Sequence, residues 1–240
     1  MRLILSLIFC SFVLICSAQQ SVFQLWTEKG LKYKLNKEWD LSFEWSNRFT
    51  EYGLMTSFPQ ASIRFKVLDW LKTSVDYRWV LSKQDNGYYS TGNRINANIQ
   101  GNYKVKRVGV GMRLRYQYSF SPFVGANYDP EFDMAYRFRP SISYDIENSI
   151  ISPSAQIEFF YTPENGPLGN RFTRIRYQIG VDFETSLPLE FGLNYLYDNK
   201  INLPNTVNRH VINLSGTYQI KTNKSENPKK KARNINPRNL

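Results

Sequence analysis

The stretch "VGVGMRLRYQYSF", residues 108–120, alternates with a period of two. Val108, Val110, Met112, Leu114, Tyr116 and Tyr118 fall on one side, and Gly109, Gly111, Arg113, Arg115 and Gln117 on the other. Successive side chains of an extended strand point to opposite faces, so the segment has an apolar face ending in tyrosines and a cationic face. A soluble barrel turns its apolar face inward and shows the polar one to water. Which way this strand faces depends on the company it keeps.

The same alternation runs through segments 39–49, 60–67, 71–81 and 94–103 before it, and through 136–146, 151–161, 174–183, 187–198 and 212–220 after it. With an N-terminal segment around 24–35, eleven strands are readable. No stretch carries a helical period. The segments run about 8–12 residues, near the roughly 9–11 of a tilted membrane-spanning strand and above the soluble mode of about 5–6. Short links are expected near 36–38, 68–70, 104–107, 147–150 and 184–186, and longer ones near 50–58, 82–93, 119–134, 162–170 and 199–208. Short turns on one rim and long loops on the other describe an outer-membrane barrel.

The apolar faces are rich in aromatic residues, and exposing them to water would require a partner. Packing the arginines into a sandwich core would cost several kcal/mol per unpaired ion. Lipid around the apolar face removes both difficulties, with Trp39, Trp79, Tyr118, Tyr136, Tyr161, Tyr197 and Tyr218 as interfacial girdles. The expected fold is all-β, an antiparallel transmembrane up-and-down β-barrel of about 10–12 strands with a polar lumen. Single-chain bacterial barrels have an even strand count. The reading therefore favours twelve, with a second short strand hidden in 19–35, over ten.

The chain begins Met1-Arg2, continues with the apolar run Leu3–Ile15, and reaches Cys16-Ser17-Ala18 before Gln19. That is the pattern of a secretory signal over residues 1–18, too short to span a membrane. Ile15 stands where a lipoprotein signal needs a small residue. The barrel is expected over 19–221 in the bacterial outer membrane, and cleavage would remove both cysteines, Cys10 and Cys16. Of the formal charge of +11, the stretch Lys221–Leu240 holds +6, from seven Lys and Arg residues against Glu226. The basic pI is thus largely a property of a tail, and nucleic-acid binding is not expected. Residues 222–240 should form a disordered periplasmic tail, with an anionic envelope polymer or an envelope protein as its candidate partners. The barrel itself is expected to be a monomer in outer-membrane lipid.

The motifs "WTEKGLKYKLNKEWDLSFEWSNRF" (26–49), "YRW" (77–79), "RLRYQY" (113–118), "SPSAQIEFFY" (152–161) and "RIRYQIGVDF" (174–183) resemble those of a large family of bacterial outer-membrane proteins, a domain of unknown function. The resemblance covers nearly all of the mature chain. It implies an outer-membrane barrel and supplies neither an activity nor catalytic residues.

Catalytic and cofactor motifs are scarce. His210, the sole histidine, shares the lipid-side face with Ile212 and Leu214, as an outer-membrane esterase would require, but Ser215 lies on the opposite face and no local nucleophile accompanies it. A histidine- or cysteine-rich metal site is excluded in the mature chain. "GVG" at 109–111 opens no helix, so it is no dinucleotide loop, and no cofactor is expected. Asp129, Glu131 and Asp133 read as a solvated acidic loop more readily than as a calcium site.

The distinctive feature is the arginine pairs Arg113/Arg115, Arg137/Arg139 and Arg174/Arg176, each on one face. Asp145, Glu158 and Asp182 complete the expected lumen charge cluster, and Asp40, Glu44, Asp76 and Glu190 share the face. The reading favours a structural or accessory envelope barrel, cross-braced by ion pairs and without catalytic activity. The alternatives are a small anion-selective pore or ligand-binding barrel, and a lipid-modifying enzyme.

Overall fold

The computed structural model describes residues 21–121, 133–163, 169–185, 187–203 and 207–220. The expected signal (1–18), the tail (222–240), Asp129 and Glu131 lie outside the described residues. Eleven strands follow in chain order: β1 Ser21–Lys34, β2 Trp39–Thr50, β3 Gly53–Lys66, β4 Leu71–Lys83, β5 Tyr89–Val105, β6 Val108–Phe120, β7 Met134–Tyr144, β8 Ile151–Thr162, β9 Arg171–Glu184, β10 Leu189–Lys200 and β11 Asn208–Ile220. Each pairs antiparallel with the next, and the sheet closes on itself.

The closure corrects the strand count. The wall has eleven strands, and β1 pairs with β11 in parallel, from Ser21 against Asn208 to Tyr33 against Ile220. Among the described residues no second strand lies near the start, because residues 21–34 run as one uninterrupted strand. An odd number of alternating strands leaves the first and last pointing the same way, so only a parallel pairing can close the wall.

Two expected long loops are also corrected. The link after β2 is Glu51-Tyr52 alone, followed by Gly53 at φ 89°, where a residue without Cβ turns at little cost. The link after β4 shortens to residues 84–88. Pro59 sits inside β3. It pairs with Trp45 on one side, while the ladder to β4 skips from Ser57 to Gln60 on the other. A proline can occupy a strand where no ladder bond requires its missing N–H. Pro140 uses a similar gap between Phe138 and Ser141 on the β8 side of β7.

Large apolar side chains are exposed on the wall, and most buried side chains are polar. Phe23, Trp45, Val75, Ile99, Leu114, Tyr136 and Ile179 are exposed on its outer face. Among the described residues twenty-four buried side chains are polar or charged, against seven apolar ones, the inverse of a soluble core. The seven are Trp26, Phe58, Val80, Ala135, Phe160, Leu196 and Val211, and most lie toward the rim that carries links 51–52, 84–88 and 163–170. Lys29 interrupts the apolar exterior on β1, opposite Gly216 across the parallel pairing.

Candidate functional site: the arginine-lined interior

The register explains why the arginines meet. Arg113 stands directly opposite Arg139, and Arg115 opposite Arg137, across β6 and β7. Like charges facing each other destabilise a strand pair unless an anion comes between them. Glu158, on β8, does so. Its carboxylate accepts from Arg113 Nη2 at 2.6 Å and from Arg137 Nη2 at 2.7 Å and Nε at 3.2 Å. Arg176 Nη1 lies 3.8 Å away. Only 3% of Glu158 is exposed.

Two further carboxylates organise the rest. Asp76 receives Arg115 Nη2 at 3.1 Å and the Asn98 amide at 2.9 Å. Asp198, fully buried, receives Arg176 Nε at 3.1 Å, with Arg174 Nε at 3.6 Å and Arg209 Nη1 at 3.5 Å. Of the residues expected to form the cluster, Arg113, Arg115, Arg137, Arg174, Arg176 and Glu158 join this network. Arg139 is buried and faces the same cavity. Asp145 instead pairs with Lys104 at 2.9 Å, at the foot of β5. Asp182 sits between Ser152 of β8 and Gly192 of β10.

Reading the sequence for carboxylates near the arginine pairs left out Asp198 and Arg209. They lie directly opposite each other on β10 and β11, and an alternation read one strand at a time carries no signal of cross-strand register. Also missed was a layer of guanidiniums stacked on rings. Phe58 lies under Arg78 at 4.0 Å and Arg48 at 5.0 Å, and Trp26 under Arg48 at 4.1 Å and Arg176 at 5.2 Å. Phe160 lies under Arg137 at 4.4 Å and Arg176 at 5.2 Å. The layer therefore links β4, β3, β2, β1, β9, β8 and β7 across the interior. The ladder irregularities between Arg48 and Phe49 and between Phe160 and Tyr161 fall beside its members, as bulges that re-aim side chains do. The aromatic residues breaking the polar face at Trp26, Phe58 and Phe160 were its visible sign in the sequence.

These groups surround a cavity of about 460 Å³. Its lining holds eleven arginines against five carboxylates: Glu28, Glu44, Asp76, Glu158 and Glu190. Room is scarce at the β9–β11 end. A Cβ on Gly180 would come within 2.0 Å of Asn194 Oδ1, and one on Gly192 within 2.5 Å of Ser215 Oγ. His210 lies on the opposite, outward face, where its Nδ1 shares a 2.7 Å hydrogen bond with the Tyr195 hydroxyl. Ser215 faces inward and donates to the Gly192 carbonyl.

A model described as a protein of unknown function, DUF2490, matches residues 23–209. The chain belongs to the DUF2490 family. No curated protein matches it significantly. Three solved structures are similar in fold. A NanC porin matches at TM-score 0.46 and 13% identity, over 70% of this chain and 78% of that one. A bacterial polysaccharide outer membrane secretin matches at 0.44 and 12%, over 76% of this chain and 64% of its own. OccK5 (OpdH) of Pseudomonas aeruginosa matches at 0.37 and 11%, over 72% of this chain and about half, 52%, of its own.

Proposed function

We propose that this DUF2490 protein is an outer-membrane barrel that admits small anionic solutes into an arginine-lined interior and passes them at a low rate. The observation that carries the reading is the imbalance around the cavity, eleven arginines to five carboxylates in the lining, which persists when Asp40 and Asp198, paired with lining arginines from behind, are counted. Even with single carboxylates bridging two or three arginines, the interior keeps a net positive charge. A surplus of fixed cations lowers the energy of an entering anion and raises that of a cation. The stacked layer across the interior supports a low rate, since solutes must pass between side chains rather than through an open bore.

A structural envelope barrel is the second reading, and the buried nodes at Glu158 and Asp198 favour it. Catalysis has less support, because among the described residues no serine hydroxyl bonds to His210.

Recording from the purified protein in planar bilayers under a KCl gradient separates the readings. A small current whose reversal potential follows chloride is expected. A silent bilayer would overturn the proposal in favour of the structural barrel, and a cation-selective current would overturn it outright. Fractionation of native cells should place the protein with the outer membrane, and terminal mass analysis should find Gln19 first.

A further inference from the structure

Not all of the interior arginines are used by the carboxylates. Arg113, Arg115, Arg137, Arg174, Arg176 and Arg209 each reach Glu158, Asp76 or Asp198. Arg48, Arg78 and Arg94 do not. Among the described residues none of the three is in ion-pair contact with a carboxylate, and all three line the cavity.

Among the described residues, their geometry leaves donors free in a fixed arrangement. Arg48 has its guanidinium against Trp26 and Phe58, and rings on the faces leave the N–H edges for an acceptor in the plane. The charges acting most strongly on it are Arg176, Arg78, Arg209 and Arg94, all cations. Arg78 stacks on the same Phe58 ring and directs Nε and Nη2 to Gln60 Oε1 at 3.0 and 2.6 Å, which leaves Nη1 unused. Glu44, Asp76 and Glu28 act on it from beyond ion-pair distance. Arg94 stands directly opposite Arg78 in the ladder and gives Nε to Ser119 Oγ at 3.0 Å, again leaving its terminal nitrogens.

Three cations held by neutral partners and rings, with no carboxylate in ion-pair contact among the described residues, form an incomplete electrostatic unit. Like charges at such spacing repel unless an anion joins them. We propose that Arg48, Arg78 and Arg94 form a binding site for a phosphate-type oxyanion, either free phosphate or a phosphate ester. A carboxylate carries one charge on two coplanar oxygens, less than three guanidiniums on separate strands require. A phosphate offers three oxygens and nearly two charges, and so can accept from donors on β2, β4 and β5 together. The proposal rests on the anion-admitting reading only in requiring that the ligand reach the interior.

The test is calorimetric titration of the full-length barrel in neutral detergent, at constant ionic strength, with inorganic phosphate and with glycerol phosphate. Acetate and chloride serve as comparisons. Saturable binding of a phosphate probe is expected, tighter than acetate by about tenfold or more, the worth of one added charged hydrogen bond. The tighter of the two probes identifies the source. Arg48→Gln and the pair Arg78→Gln with Arg94→Gln should each lower affinity at least as much, while Arg64→Gln, which removes a cavity cation paired with Asp40, should leave it within about twofold. Arg48→Lys keeps the charge, and with it folding, but removes the fork, so weaker binding by a folded Arg48→Lys barrel supports the site. No saturable binding by the wild type, undiminished binding by Arg48→Gln, or equal loss in Arg64→Gln would each overturn the proposal. A barrel that binds phosphate but conducts nothing keeps the site and rejects the pore. One that conducts anions but binds no phosphate does the reverse.

Discussion

Replacing Glu158 with glutamine tests the interior network at its most connected point. The substitution keeps size and one carbonyl acceptor but removes the charge that separates Arg113, Arg137 and Arg176, whose nitrogens lie 2.6, 2.7 and 3.8 Å from its oxygens. Two of those contacts are close charged hydrogen bonds, each worth about 1.5–3 kcal/mol when lost. Breaking a buried ion pair from one side costs about 3–5 kcal/mol, since the stranded charge stays buried. Glu158 borders a cavity that water can enter, so the lower end applies, and a loss of about 3 kcal/mol is expected. Because the carboxylate is 3% exposed, added salt should recover little of it. Urea unfolding of the detergent-solubilised barrel, followed by tryptophan fluorescence, measures the change. Adding Arg137→Gln should return part of the loss, with a coupling of about 0.5–3 kcal/mol in the double-mutant cycle. A Glu158→Gln barrel within about 0.5 kcal/mol of the wild type, the range of an ordinary surface change, would mean that interior water screens these charges and that the network braces nothing.

Three other outcomes follow from the wall and its ends. Leu114→Arg puts a charge at the centre of β6 on the outward face; in lipid it should cost about 2–4 kcal/mol, read as a lower urea midpoint in vesicles, and no loss would mean that this face does not meet hydrocarbon. Gly180→Ala must displace Asn194 and the Leu193 carbonyl, which lies 2.7 Å from the new carbon, so thermal stability should fall by about 1–3 kcal/mol. Deleting Asn223–Leu240 removes a polar stretch with no aromatic residue, and the barrel should keep its heat-modifiable gel mobility; failure to assemble would give the tail a part in folding.

The faces of the strands were legible because alternation is a local property. In "WDLSFEW", Trp39, Leu41, Phe43 and Trp45 had to share a side whatever the rest of the chain did, and they share the exposed one. Register was not legible. That Arg113 meets Arg139, or that Asp198 meets Arg209, depends on turn lengths that a single strand does not encode. The two shortened loops failed for a related reason, since Pro59 and the polar residues 82–93 look like breaks until the missing ladder bonds and the 17-residue β5 are seen. The stacked layer was half visible. Its rings stood out as apolar residues on polar faces, but only closure of the sheet brings Arg176 of β9 to Trp26 of β1.

The parallel β1–β11 pairing has a consequence for rearranging the gene. In an even-stranded barrel both ends of the wall lie at one rim, and a few residues can join them, which is why circular permutation of many domains is tolerated. Here Ser21 starts at the rim carrying links 51–52 and 84–88, while Ile220 ends at the other. A joining linker would have to run back along the full height of the wall, a distance that β1 covers with 14 residues, through either the occupied interior or the surrounding lipid. Permuted versions with short linkers should therefore fail. Reporter sequences fused before Ser21 and after Ile220 should be accessible from opposite faces of the membrane, so that a single protease added to one side trims only one of them.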